Sequence, residues 1–104
     1  MSAKKKQGMS VDDDIYTYLT EHPEQQLPYL VGALEDHEPT LSFLLALRQL
    51  VRARGVSIQD LAKTTDLNRE NLYRILSPKG NPTFANVTAI LDSMGLQFSV
   101  QEKK

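Results

Sequence analysis

Apolar residues recur along this chain at two spacings, and the change from one to the other marks out its elements. In residues 57 to 76, SIQDLAKTTDLNRENLYRIL, Ile58, Leu61 and Ala62 fall at i, i+3 and i+4 and share one helical face. Leu72, Ile75 and Leu76 repeat that spacing further on, with Leu67 between the two sets as a plug. Asn68 stands at an N-cap position, where its short side chain can accept from the unpaired backbone N–H groups of the following turn. The stretch predicts two short helices joined by a tight turn. That is the sequence form of a helix-turn-helix, whose second helix enters the DNA major groove.

The flanking pattern predicts a frame for that pair. Residues 15 to 19, IYTYL, alternate Ile15, Thr17 and Leu19 against Tyr16 and Tyr18, which fits either a short strand or a helical turn. Pro23 suits a first helical position, with His22 or Thr20 as the cap. The helix would run to about residue 36 with Leu27, Leu30, Val31 and Leu34 on one face, although Pro28 inside it allows a start nearer that residue. Glu38–Pro39 is a break. Thr40 opens a helix that ends at Arg54, with Gly55 in the stop position. Leu41, Phe43, Leu44, Leu45, Leu47, Leu50 and Val51 cover more than one stripe of it, so it is expected to be buried on two sides.

After the helix-turn-helix, residues 77 to 82, SPKGNP, form a loop of turn formers. Thr83 caps a last helix with Phe84, Val87, Ile90, Leu91 and Met94 on its core face, and Gly95 ends it. Leu96, Phe98 and Val100 then alternate with Gln97, Ser99 and Gln101, a strand signal. A lone short strand is not stable, so it needs either the IYTYL segment or the same strand of a second copy. The expected organisation is a flexible tail at 1–10, an acidic segment with a helix at 11–39, a DNA-binding domain at 40–100 and a tail at 101–104.

Composition narrows the function classes. A chain of 104 residues forms one domain with a modest core. With no cysteine there is no disulfide, thiolate metal site or catalytic thiol. No apolar run is long enough to span a membrane, and the start MSAKKKQGMS leads into acidic residues, unlike a secretory signal. A cytoplasmic protein is expected. The net charge of −1 hides an asymmetry. Residues 11 to 47 hold eight acids (Asp12, Asp13, Asp14, Glu21, Glu24, Glu35, Asp36, Glu38) and no lysine or arginine. Residues 48 to 80 hold seven bases (Arg48, Arg52, Arg54, Lys63, Arg69, Arg74, Lys79) against Asp60, Asp66 and Glu70, a local excess of +4. Phosphate contacts need only such a basic patch. The acidic half faces solvent or a basic protein. Lys4 to Lys6 are within reach of phosphates too, although a solvated terminal run accounts for them as well.

Opposite the Leu72/Ile75/Leu76 face, the second helix holds Glu70 and Arg74, flanked by Tyr73 and Asn71, with Arg69 in its first turn. Arginine can bind guanine O6 and N7 in bidentate fashion, asparagine can do so with adenine, and glutamate can accept from cytosine N4. The plain alternative is a surface helix carrying a Glu70–Arg74 pair at i,i+4. An enzyme is not expected. His22 and His37 are the only histidines, with no metal-ligand spacing, no nucleophile-and-base arrangement and no glycine-rich phosphate loop, so no cofactor is implied.

Residues 67 to 100, LNRENLYRILSPKGNPTFANVTAILDSMGLQFSV, resemble the signature of the addiction-module antidote family, HigA-like antitoxins with an XRE/Cro/C1-type helix-turn-helix. The resemblance spans about residues 15 to 100, and SPKGNPTF is its specific part. Asn68 stands where the family usually has serine, which keeps the cap, and Asn71 replaces another serine in the recognition helix. The resemblance implies an all-α, five-helix, lambda-repressor-like domain with a short C-terminal strand. It also implies a homodimer, a basic RelE/HigB-type toxin as partner, and repression of the shared operon. By position in the motif, base readout falls on Arg69, Glu70, Asn71 and Arg74, with Asn68 and Tyr73 capping or touching backbone. Tyr73 is also a candidate for plain packing against the preceding helix. Ser57, Gln59 and Lys63, with Lys79, Asn81 and Thr83 in the loop, would contact operator phosphates. A solitary XRE-type regulator without a toxin, and an interaction module that has lost DNA binding, remain the alternatives.

Overall fold

The computed structural model describes residues 11–77 and 81–103; the expected tail at 1–10 and the loop residue Lys79 lie outside them. The described residues form six α-helices: α1 (Val11–Glu21), α2 (Gln26–Ala33), α3 (Pro39–Ala53), α4 (Ile58–Thr65), α5 (Arg69–Ile75) and α6 (Phe84–Ser93). A single 3₁₀ turn, Pro23–Gln25, joins α1 to α2. The fold is all-helical, with one helix more than expected and no β-strand among the described residues.

The extra helix is the IYTYL region, where the strand reading fails. Ile15 and Leu19 are spaced two apart from Thr17 on a strand, but they are also i and i+4 on a helix. Asp12, Asp13 and Asp14 sit in the first turn of α1, where carboxylates complement the positive helix end. Leu19 is fully buried, and the Tyr18 and His22 rings meet at 4.7 Å one turn apart. The C-terminal strand expected at 96–100 is absent for a different reason. Its alternation of burial persists through Leu96, Gln97 and Phe98, but no neighbouring strand lies beside it once residues 15–19 are helical.

Helix α3 is the axis of the molecule. It starts at Pro39, one residue before the expected Thr40, because proline needs no N–H partner in a first turn. Helices α1 and α2 both pack on it. Its Phe43, Leu44, Ala46, Leu47, Leu50 and Val51 are buried, and they share one core with Leu61, Leu72, Ile75, Leu76, Val87, Ile90 and Leu91. The expected burial of α3 on two sides is what the structure shows.

Helix α2 is shorter than expected, ending at Ala33 instead of near residue 36. Pro28 is accommodated as its third residue, where an N–H would have no intrahelical acceptor. Of its predicted apolar face, only Leu30 enters the core; Leu27, Val31 and Leu34 stay about half exposed. Residues 34–38 bend back onto α3. There Asp36 accepts from the Ser42 hydroxyl and from the His37 N–H. Those two bonds, the Ser42 hydroxyl first, hold its carboxyl below the usual carboxylate range.

Glycines end α3 and α6 by the same geometry. Gly55 (φ 70°) and Gly95 (φ 78°) adopt the left-handed conformation that side chains resist. Their N–H groups bond to Arg52 O and Asp92 O, and the next residues' N–H groups reach back to Val51 O and Leu91 O, which is the Schellman pattern.

One buried polar side chain ties three elements together. Gln26 donates from Nε2 to Leu19 O at the end of α1, and its Oε1 accepts from Arg54 Nε at the end of α3, both at 3.0 Å. Arg54 Nη1 then donates to Met94 O, at the end of α6. Gln26→Ala orphans the buried Leu19 carbonyl and one Arg54 donor. We expect it to destabilise the fold by about 1–3 kcal/mol, read as a lower midpoint in urea unfolding. A change below a few tenths of a kcal/mol would deny Gln26 this linking role.

Candidate nucleic-acid interface

Helices α4 and α5 are joined by the turn Asp66–Leu67–Asn68, and α4 packs on both α5 and α6. Leu61 and Leu72 are fully buried and Leu67 is partly buried against the same cluster, as the plug position implies. The turn is made at Asp66, which holds φ 66°. The left-handed region costs a side chain energy, and aspartate is among the residues that tolerate it. Apolar spacing alone does not mark this position. The cue was the missing glycine, since a turn this tight needs one left-handed residue and only Asp66 and Asn68 could supply it.

Three helices begin with the same cap. Ser57, Asn68 and Thr83 are extended, and their side chains accept from the N–H of Asp60 (3.0 Å), Asn71 (2.7 Å) and Asn86 (3.1 Å). Asn68 matters most, because α5 has only seven residues and little else to nucleate it. Asn68→Ala should cost about 1 kcal/mol, with Asn68→Ser recovering most of it, in thermal or urea unfolding. Equal losses in both variants would show that the cap bond is not what holds α5.

The candidate reading residues are gathered on the outer face of α5. Arg69, Glu70, Tyr73 and Arg74 are exposed, and Asn71 is partly covered. Tyr73 is 57% exposed, so packing against the preceding helix is not its main environment. The plain alternative of a Glu70–Arg74 ion pair is not formed among the described residues. Arg74 turns instead to Asn71, with Nη1 3.4 Å from Oδ1, a long and weak contact. Gln59 and Lys63 on α4, and Asn81 and Thr83 before α6, are exposed as well. Ser57 and Thr83 hold their caps, so their hydroxyls keep one donor hydrogen each for an outside acceptor.

The structure changes the charge picture. Arg48 bonds to Asp12 at 2.9 Å and Arg52 to Asp13 at 3.0 Å, and the Arg52 guanidinium lies 4.0 Å from the Tyr16 ring centre. Arg54 is engaged by Gln26 and Met94. The three arginines of α3 therefore hold α1, α2 and α6 and are not arranged as a phosphate patch. Among the described residues, the bases near the α4–α5 pair are Lys63, Arg69 and Arg74, balanced by Asp60, Asp66 and Glu70. The same pairing offsets the charge of Asp12 and Asp13 within the acidic surface.

No group of three or more possible metal ligands occurs among the described residues. No described helix is long and apolar enough to cross a membrane.

The family model described as "Probable addiction module antidote protein" matches residues 9–102. The chain belongs to this antidote family. An uncharacterised protein of Haemophilus influenzae (strain ATCC 51907 / DSM 11121 / KW20 / Rd) is 40% identical over 93 residues, covering 89% of this chain and 92% of that protein. No solved structure matches the chain. The match of the antidote model runs from the start of α1 through the extended segment after α6, so it takes in the whole described fold. Membership in the antidote family points to a toxin partner and to a binding role in place of catalysis.

Proposed function

We propose that this antidote neutralises a basic toxin of the RelE/HigB type and represses its own operon in the cytoplasm, acting as a homodimer on DNA. In this reading α4 and α5 are an XRE-type helix-turn-helix within a lambda-repressor-like domain. The observation that carries it is the outer face of α5, where Arg69, Glu70, Tyr73 and Arg74 stand exposed on a capped helix whose other face is locked in the core. Arg69, Glu70, Asn71 and Arg74 read base edges. Ser57, Gln59, Lys63, Asn81, Thr83 and Lys79 hold phosphates, and Asn68 caps the reading helix. The exposed carboxylates Asp14, Glu21, Glu24 and Glu38 meet the toxin.

With so few bases near α5, binding leans on neutral donors and base contacts more than on charge. The test is a mobility shift on the duplex upstream of the chain's own reading frame, repeated over a salt series. Binding should weaken with salt by about 0.9 in log K per log unit for each neutralised phosphate, and Lys63→Ala should lower that slope by about 1 while weakening all sequences alike. An unchanged slope removes Lys63 from the phosphate contacts. Co-purification with the product of an adjacent small basic reading frame separates the antidote from a solitary regulator.

A further inference from the structure

The segment that follows α6 is extended backbone without a partner. After Leu96, whose N–H bonds to Leu91 O, the backbone of residues 97 to 100 makes no hydrogen bond among the described residues. Its side chains still alternate. Leu96 and Phe98 pack against the core, with the Phe98 ring 5.5 Å from Phe43 and 5.3 Å from Phe84, while Gln97 and Ser99 are exposed. Val100 belongs by alternation to the apolar side, yet it is 97% exposed. Beside it lies an open groove of about 360 Å³ lined by Leu27 and Val31 of α2 and by Leu34 just after it, together with Leu96 and Phe98. Phe84, expected on the core face of α6, is 71% exposed at the other border of the same patch.

We infer that residues 96–100 pair antiparallel with the same residues of a second copy of this chain, and that Val100 of the partner subunit closes the groove along α2. This rests on and deepens the dimer of the proposed function by naming its surface. Three observations select a second copy. First, the unpaired N–H and C=O groups are an open ladder, and an antiparallel pairing of a segment with itself is isologous, so the paired edge is satisfied within two chains. Second, the register fits. A two-fold axis at Phe98 sets Leu96 opposite Val100, so each exposed valine lands beside Leu96, and Gln97 and Ser99, exposed at the rim of the groove, face each other across the pair. Third, the patch carries the wrong chemistry for a basic toxin. Residues 96 to 100 hold no charge, and Glu35 is the one ionisable side chain lining the groove. A stable interface buries about 800 Å² per partner, more than a five-residue extended segment supplies, so the half-exposed Leu27, Val31 and Leu34 are needed as well.

The test uses the full chain, which contains no cysteine of its own. Gln97→Cys and Ser99→Cys variants are mixed and oxidised. Opposed positions of an antiparallel pair lie within disulfide reach, whereas each variant alone offers only a diagonal pair about 7–8 Å apart. The expected result is covalent dimer from the mixture and little from either variant alone. Sedimentation should show a reversible dimer in the micromolar range, with the dissociation constant raised roughly tenfold or more by Val100→Asp at unchanged helical signal and melting in dilute solution. A chain that stays monomeric throughout, or a dimer that survives Val100→Asp without cross-linking in the mixture, overturns the inference. A monomer that still protects its upstream duplex sinks this surface while leaving the DNA reading intact.

Discussion

Leu61→Ala is expected to lower the unfolding free energy by about 2–5 kcal/mol, a large part of what a domain of this size has. Leu61 is fully exposed to core and not at all to solvent, and it lies on α4, the helix that touches both α5 and α6. Truncation removes the side chain's transfer free energy and leaves a cavity that three helices would have to collapse to fill. Leu61→Met keeps most of the volume and should cost less than about 1.5 kcal/mol. Urea unfolding followed by helical circular dichroism distinguishes the two. Similar small losses for both would mean that α4 is not the seat on which α5 is positioned.

Arg74→Ala is the second large effect, and it concerns binding. The variant should lose about 1–3 kcal/mol of specific affinity for the upstream duplex and relax discrimination at one base pair. Arg74 is exposed and the one described contact of its guanidinium, to Asn71 Oδ1, is long, so the guanidinium leaves it at little cost to reach a base edge. Fold stability should change little, since Arg74 contributes nothing to the core. Competition titrations against specific and unrelated duplexes read the effect. Equal losses on both would reassign Arg74 to phosphate contact.

Helices α3 to α6 were legible in the sequence because each has a cap or stop with one physical reading. Ser57, Asn68 and Thr83 cap, Gly55 and Gly95 stop, and the leucines between them keep helical spacing. Residues 15–19 were not legible, because Ile15, Thr17 and Leu19 satisfy a period of two while Ile15 and Leu19 also satisfy i,i+4. The aspartates ahead of them and the arginines of α3 decide the matter, and the arginines lie more than thirty residues away. The same long-range pairing made charge counting misleading. Along the chain Arg48, Arg52 and Arg54 add to a basic excess, whereas the fold turns them toward Asp12, Asp13 and Gln26. At the candidate interface, the outward residues of α5 followed from helical geometry alone. What that geometry could not give was the left-handed Asp66, or the half-exposed Leu27, Val31 and Leu34, whose exposure depends on what else is present to cover them.

The most direct test of the account is nuclease footprinting of the full chain on its own upstream duplex in low salt. A discrete protected site is predicted, lost or broadened in Arg74→Ala and kept in Arg48→Ala, whose guanidinium is held by Asp12. Protection absent at every concentration, or equally diminished by both substitutions, would contradict the claim that the outer face of α5 reads DNA.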